Sequence, residues 1–166
     1  MRERSVTDLH VVTTGGTIDK IYFDRLSDFE VGEPQVGALL EQANVTFSWS
    51  VTPLLRKDSL DLTDADRDAI LAAVRDCDAD RVLVTHGTDT MLDTAERLTA
   101  VEGKTIVLTG AMQPATQRDS DAVFNIGFAI GVLRTASPGV YVAINGELFS
   151  PGAARKNRAA NRFEAL

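Results

Sequence analysis

The chain has 166 residues, 17 basic and 24 acidic, for a formal charge of −7; this fits one domain with an ordinary core and argues against a nucleic-acid surface, which needs a basic patch. Its one cysteine, Cys77, permits no internal disulfide, and no His or Cys spacing points to a metal site. No apolar run approaches the roughly 18 residues of a membrane span, and the charged stretch Met1 to His10 lacks a signal peptide's apolar core, so a single cytoplasmic domain over residues 1–166 is expected.

A strand is predicted from Asp8 to Thr13, running into Thr14-Gly15-Gly16-Thr17, where glycine lets the backbone pass close to a ligand. Ile18 to Gly32 is mixed, charged and aperiodic, and reads as a loop. Pro34 suits the first turn of a helix with Val36, Leu39, Leu40 and Ala43 on one face, ending at Asn44. Val45 to Thr52 alternates as a strand closed by Pro53, and Arg56 to Leu62 forms the next strand-tip loop. Thr63 with Asp66 makes a capping-box start to a helix that buries Ile70, Leu71 and Val74.

The run Arg81 to Thr85 reads as the central strand, followed by a helix over Met91 to Val101 and a strand over Lys104 to Thr109. The loop Gly110 to Arg118 carries Pro114, which cannot continue a ladder. Asp119 or Ser120 caps a helix to Thr135 that is apolar nearly all round, through Phe124, Ile126, Phe128, Ile130 and Leu133, and should be well buried. Gly139 to Asn145 is the fifth strand; Gly146 to Leu166 shows no clear periodicity beyond a short helix near its end. Five strands alternating with four helices predict an α/β three-layer sandwich with a mainly parallel sheet, flavodoxin-like or Rossmann-like.

In such a sheet ligands bind beyond the carboxyl ends of the strands. Val82-Leu83-Val84 stops abruptly at Thr85-His86-Gly87-Thr88-Asp89-Thr90, which puts Thr88 and Asp89 where a substrate arrives. Thr105 to Leu108 runs likewise into Thr109-Gly110-Ala111-Met112. Three tips rich in Gly and Thr therefore point at one crevice. His86 reads as a buried, hydrogen-bonded histidine rather than a base, and Lys156, in a basic C-terminal cluster with Arg155, Arg158 and Arg162, reads by itself as a solvated surface residue.

Taken together, Thr14-Gly15-Gly16-Thr17-Ile18 and Thr85-His86-Gly87-Thr88-Asp89-Thr90 resemble the paired signature of the bacterial-type L-asparaginases. Ser59-Leu60-Asp61, Gly110-Ala111-Met112, Asp121 with Phe124-Asn125, and Lys156 extend the similarity over nearly the whole chain. The resemblance implies hydrolysis of L-asparagine, with L-glutamine as the other substrate, to the acid and ammonia through an acyl-threonine intermediate, without cofactor or metal. It implies Thr17 as the nucleophile and Thr88, Asp89 and Lys156 as the relay that activates it, because a threonine hydroxyl is a poor nucleophile near neutral pH. Gly16, Ser59, Leu60, Gly87, Thr88, Asp89 and Ala111 are implied to surround the substrate. Ser59 would meet the α-carboxylate, Asp89 the α-ammonium, the Ala111 carbonyl the side-chain amide, and backbone amides near Gly16 and Gly87 the oxyanion.

Two departures from the family pattern stand out. Phe29 occupies the place of a loop tyrosine in longer relatives, which makes Tyr22 the candidate replacement, and Gln113 stands where many relatives carry arginine. The chain resembles the short, single-domain form, without the C-terminal domain that adds substrate groups across a subunit interface; weaker substrate binding and a homo-oligomer, dimer or tetramer, are expected. Two other readings stay open, a non-catalytic amino-acid-binding module and an ammonia-donating amidotransferase subunit.

Overall fold

A computed structural model describes residues 7–166. In chain order its first half comprises β1 (Leu9–Gly15), β2 (Lys20–Phe23), β3 (Asp28–Val31), α1 (Val36–Gln42), β4 (Trp49–Lys57) and α2 (Asp64–Asp76). Its second half comprises β5 (Arg81–Thr85), α3 (Met91–Leu98), β6 (Thr105–Thr109), α4 (Ala122–Thr135), β7 (Gly139–Ile144), β8 (Glu147–Phe149), β9 (Ala154–Asn157) and β10 (Arg162–Ala165). The main sheet runs β4-β1-β5-β6-β7-β8. All its pairings are parallel except β7 with β8.

The apolar runs of β5 and β6 lie in the middle of this sheet because both of their faces are covered, as parallel sheets require. On one face Val12, Val82, Val84, Ile106 and Leu108 pack with Ile70 and Val74 of α2 and Met91, Ala95 and Leu98 of α3. On the other, Val11, Leu83 and Val107 pack with Val36 and Leu40 of α1 and Ile126, Ala129 and Leu133 of α4. The result is the expected three-layer α/β sandwich. The capping box of α2 forms as its sequence predicts: the Asp66 N–H donates to Thr63 Oγ1 at 3.2 Å and the Thr63 N–H to Asp66 Oδ2 at 2.9 Å.

The structure corrects four expectations. Residues 18–32 are not a loop: a single 3-10 turn (Thr17–Asp19) leads into the antiparallel hairpin β2–β3. The strand expected at Val45 to Thr52 starts at Trp49 and runs through Pro53 to Lys57. Proline is tolerated there because β4 is the edge strand, bonded only to β1. Helix α4 is buried on one side only, leaving Val123 and Phe124 exposed, and Asp121 stands at its N-cap in place of Asp119 or Ser120. The C-terminal segment forms β8 and the hairpin β9–β10 instead of a short helix. No helix among the described residues is long and apolar enough to cross a membrane.

Candidate active site

The tips of β1 and β5 meet backbone to backbone. Gly16 has φ +83°, and a Cβ there would sit 2.5 Å from the Gly87 Cα and N; a Cβ on Gly87 would sit 2.6 Å from Ser59 Cβ and Oγ. Only glycine allows this approach. The Thr14 hydroxyl donates across it to the Thr85 carbonyl at 2.9 Å, and the His86 N–H to the Thr109 carbonyl at 2.9 Å joins the β5 tip to β6. Thr17 opens the 3-10 turn at this junction, half-buried. The next residue, Ile18, accepts at its carbonyl from the Ala115 N–H at 3.0 Å, which holds the loop after β6 against the turn.

Ser59 starts a second 3-10 turn (Ser59–Asp61) whose first residue is buried while Leu60 points to solvent. Ser59 Oγ accepts from the Asp89 N–H at 3.2 Å, and its carbonyl accepts from the Thr90 hydroxyl at 2.7 Å. Asp58 anchors the turn, accepting from the Leu60 N–H at 3.2 Å and from Lys20 Nζ at 3.0 Å.

Lys156 reaches this cluster from β9. Its ammonium donates to Thr88 Oγ1 at 2.8 Å and to Asp89 Oδ1 at 2.9 Å. The lysine side chain is 16% exposed and Asp89 22%, so the charge pair is largely withdrawn from water, where its interactions are screened less. Residues 67 positions apart are brought together by the C-terminal hairpin. Phe163 of β10 is buried and packs on Phe149, with ring centroids 6.5 Å apart, and its N–H donates to Asn145 Oδ1 at 2.9 Å.

A polar chain centred on the buried Asn125 continues from there to the loop that carries Ala111. The Asn145 N–H donates to Asn125 Oδ1 at 3.2 Å, and Asn125 Nδ2 donates to the Gly110 carbonyl at 3.0 Å and to Asp121 Oδ2 at 2.9 Å. Asp121 in turn accepts from the Met112 and Gln113 N–H groups at 3.0 Å. Sequence reasoning matched Asp121 and Asn125 to a pattern and read Asn145 as a strand end, without assigning them this positioning role, because the partners are distant in the chain. It also assigned nothing to Arg158, although the basic cluster signalled it; Arg158 lies 3.0 Å from Asp89 Oδ1.

Of the candidate residues, Gly16, Ser59, Gly87, Thr88, Asp89 and Lys156 are joined by these contacts. Ala111 is buried on the adjoining loop. Tyr22 lies out on β2, 53% exposed, its ring edge-on to Phe29 of β3 at 5.4 Å. His86 is fully buried, and burial pushes its imidazole down to about 4, so it is neutral. Its Nδ1–H donates to the Gly87 carbonyl and its Nε2 accepts from the Thr94 hydroxyl, both at 2.7 Å, a positioning role for the loop. No group of three or more His, Cys, Asp or Glu among the described residues is placed to hold a metal ion.

Comparison with known proteins places the sequence and its fold. Over 78 residues the chain is 40% identical to a glutaminase-asparaginase of Pseudomonas aeruginosa, an alignment covering 44% of this chain and 22% of that protein. Its fold superimposes on the L-asparaginase of Thermococcus kodakarensis with a TM-score of 0.82 at 27% identity, covering 95% of this chain and 51% of that one. For L-asparaginase I of Vibrio cholerae the TM-score is 0.81 at 25% identity, covering 97% and 52%. The chain thus spans about half the length of these solved relatives. The family model described as asparaginase, N-terminal, matches residues 8–166, and the chain belongs to the asparaginase family.

Proposed function

We propose that the chain is an amidohydrolase that converts L-asparagine, with L-glutamine as the other candidate substrate, to the acid and ammonia through an acyl-threonine intermediate. The observation that carries this reading is the single ammonium of Lys156 bridging the Thr88 hydroxyl and the Asp89 carboxylate at a strand tip packed against the Thr17 turn. Thr17 Oγ1 attacks the carboxamide carbon while its proton passes to the Thr88 hydroxyl, Thr88 gives its own proton to Lys156, and Lys156 hands one of its protons to the Asp89 carboxylate. Backbone N–H groups of the Gly16 and Gly87–Thr88 segments face the oxyanion. The C–N bond breaks, the relay's proton leaves with ammonia, and water then cleaves the Thr17 ester to release the acid and restore the hydroxyl.

In this reading Ser59 meets the substrate carboxylate beside Leu60, Asp89 also takes the α-ammonium, the Ala111 carbonyl takes the amide N–H, and Tyr22 assists Thr17 when its hairpin folds over the crevice. The free Cys77 supports a cytoplasmic setting, and exposed Val123 and Phe124 support a homo-oligomer. The test is ammonia release from L-asparagine and L-glutamine by the purified chain and by Thr17→Ala. The wild type should release ammonia at millimolar L-asparagine and the variant none, with L-asparagine still raising the variant's Tm. Release by the variant at the wild-type rate, or none by the wild type, would overturn the reading.

A further inference from the structure

Asp89 carries a second cation. Arg158, in the turn that follows β9, places its guanidinium 3.0 Å from the same Oδ1 that Lys156 holds at 2.9 Å. The two arginines nearby are committed elsewhere: Arg155 pairs with Glu164 at 3.6 Å and Arg162 with Glu164 at 2.9 Å. Asp58, the adjacent carboxylate, is held by Lys20 at 3.0 Å. The carboxylate that the proposed function assigns to a substrate α-ammonium thus sets one negative charge against two positive ones. Arg158 is 68% exposed and borders an open cavity of about 370 Å³ with Arg155, Lys156 and Asn157, so it has room to leave.

We propose, resting on the asparaginase reading, that Arg158 is a specificity-determining residue that caps Asp89. A substrate ammonium must displace the guanidinium before it can pair with the carboxylate, whereas a substrate without an ammonium meets no such competitor. The chain therefore takes ω-amides of dicarboxylic acids with or without an α-ammonium, and succinamate, which is L-asparagine lacking only its amino group, is a substrate of comparable efficiency. Exposed ion pairs are weak, so the cap lowers the affinity for L-asparagine about fivefold rather than abolishing it.

The experiment measures ammonia release from L-asparagine and succinamate by the wild type, Arg158→Ala and Arg158→Lys. The wild-type kcat/KM values should agree within about tenfold, and Arg158→Ala should lower KM for L-asparagine about fivefold while kcat and the succinamate KM stay unchanged. Arg158→Lys should restore the wild-type KM. A wild-type preference for L-asparagine beyond about tenfold, or an unaltered KM in Arg158→Ala, overturns the proposal. Calorimetric titration of the three proteins with L-aspartate and succinate separates the two possible failures. Ammonia from neither amide, with L-aspartate bound more tightly by Arg158→Ala, overturns the asparaginase reading and upholds the cap; L-aspartate affinity that ignores Arg158, or binding of neither acid, overturns the cap.

Discussion

The strand-tip crevice and the two hairpins beside it hold their groups by different means. At the tips of β1 and β5, backbone is packed on backbone at Gly16 and Gly87, and Thr14 and Ser59 tie the loops laterally. The β9–β10 hairpin reaches in with one long side chain, Lys156, and is pinned by buried Phe163 and by Asn145. The β2–β3 hairpin is held at its base, where Asp19 accepts from the Gly32 N–H at its carbonyl (2.8 Å) and from the Gln35 N–H at Oδ1 (2.9 Å). Beyond that base Tyr22, Phe23, Leu26 and Phe29 are all exposed. The groups of the crevice are set by packing, and Tyr22, which the proposed reaction would have move to Thr17, is set on an element with few buried contacts.

The largest expected effect lies on the pinned hairpin. Lys156→Met should lower kcat by about 10²- to 10⁴-fold, the usual worth of a positioned proton-transfer group. Its Tm should change little, because Arg158 still balances Asp89. Full activity in this variant, measured by ammonia release, would show that the β9–β10 contact is structural and break the contrast.

Next comes the base of the β2–β3 hairpin, read through pH. Burial raises the Asp19 carboxyl from 3.8 to about 6, against the opposing Gln35 N–H and Arg56 charge. The folded chain therefore keeps a proton that the unfolded chain has lost between about pH 4 and 6, and this group's stabilisation falls as pH rises through that window. His86 has the opposite sign: lowered from 6.5 to about 4, it contributes stability above pH 6.5 that is lost as pH falls toward 4. The two slopes nearly cancel in the native chain. In Asp19→Asn only the His86 slope remains, so urea unfolding should show stability rising by about 2 kcal/mol from pH 4.5 to 6.5. The wild type should stay nearly flat, and equal slopes in both proteins would refute the opposition.

The smallest effect is expected at Tyr22. Tyr22→Phe keeps the ring contact with Phe29 and removes only the hydroxyl, so Tm should hold while kcat for L-asparagine falls about tenfold, below the worth of a fully positioned acid or base. An unchanged kcat would remove Tyr22 from the chemistry.

The parts of this molecule that were legible in its sequence are those with a uniform environment or a purely local partner. Val82-Leu83-Val84 and Ile106-Val107-Leu108 are buried on both faces and read as continuous apolar runs, and Thr63 with Asp66 spells its own cap. The short hairpins were illegible for the same reason reversed. Lys20–Phe23 and Asp28–Val31 have no fully buried residue, so no alternation marks them, and they were expected as loop. Pro53 reads from sequence as a strand end because its place at the sheet edge is a fact of strand order, which depends on β1 and β5. Phe124 looked like core because composition cannot say which side of α4 meets the sheet.

By itself the sequence determined the alternation of strands and helices, the glycines at two tips and the residue types of the site, since local sterics and hydrophobic burial act over a few residues. Tertiary structure alone decided that Lys156 meets Thr88 and Asp89, that Asn125 and Asn145 link two loops, and that Arg158 shares the Asp89 oxygen. Those contacts join groups many residues apart, and a charge pair or hydrogen bond acts only when the fold has already closed the distance between them.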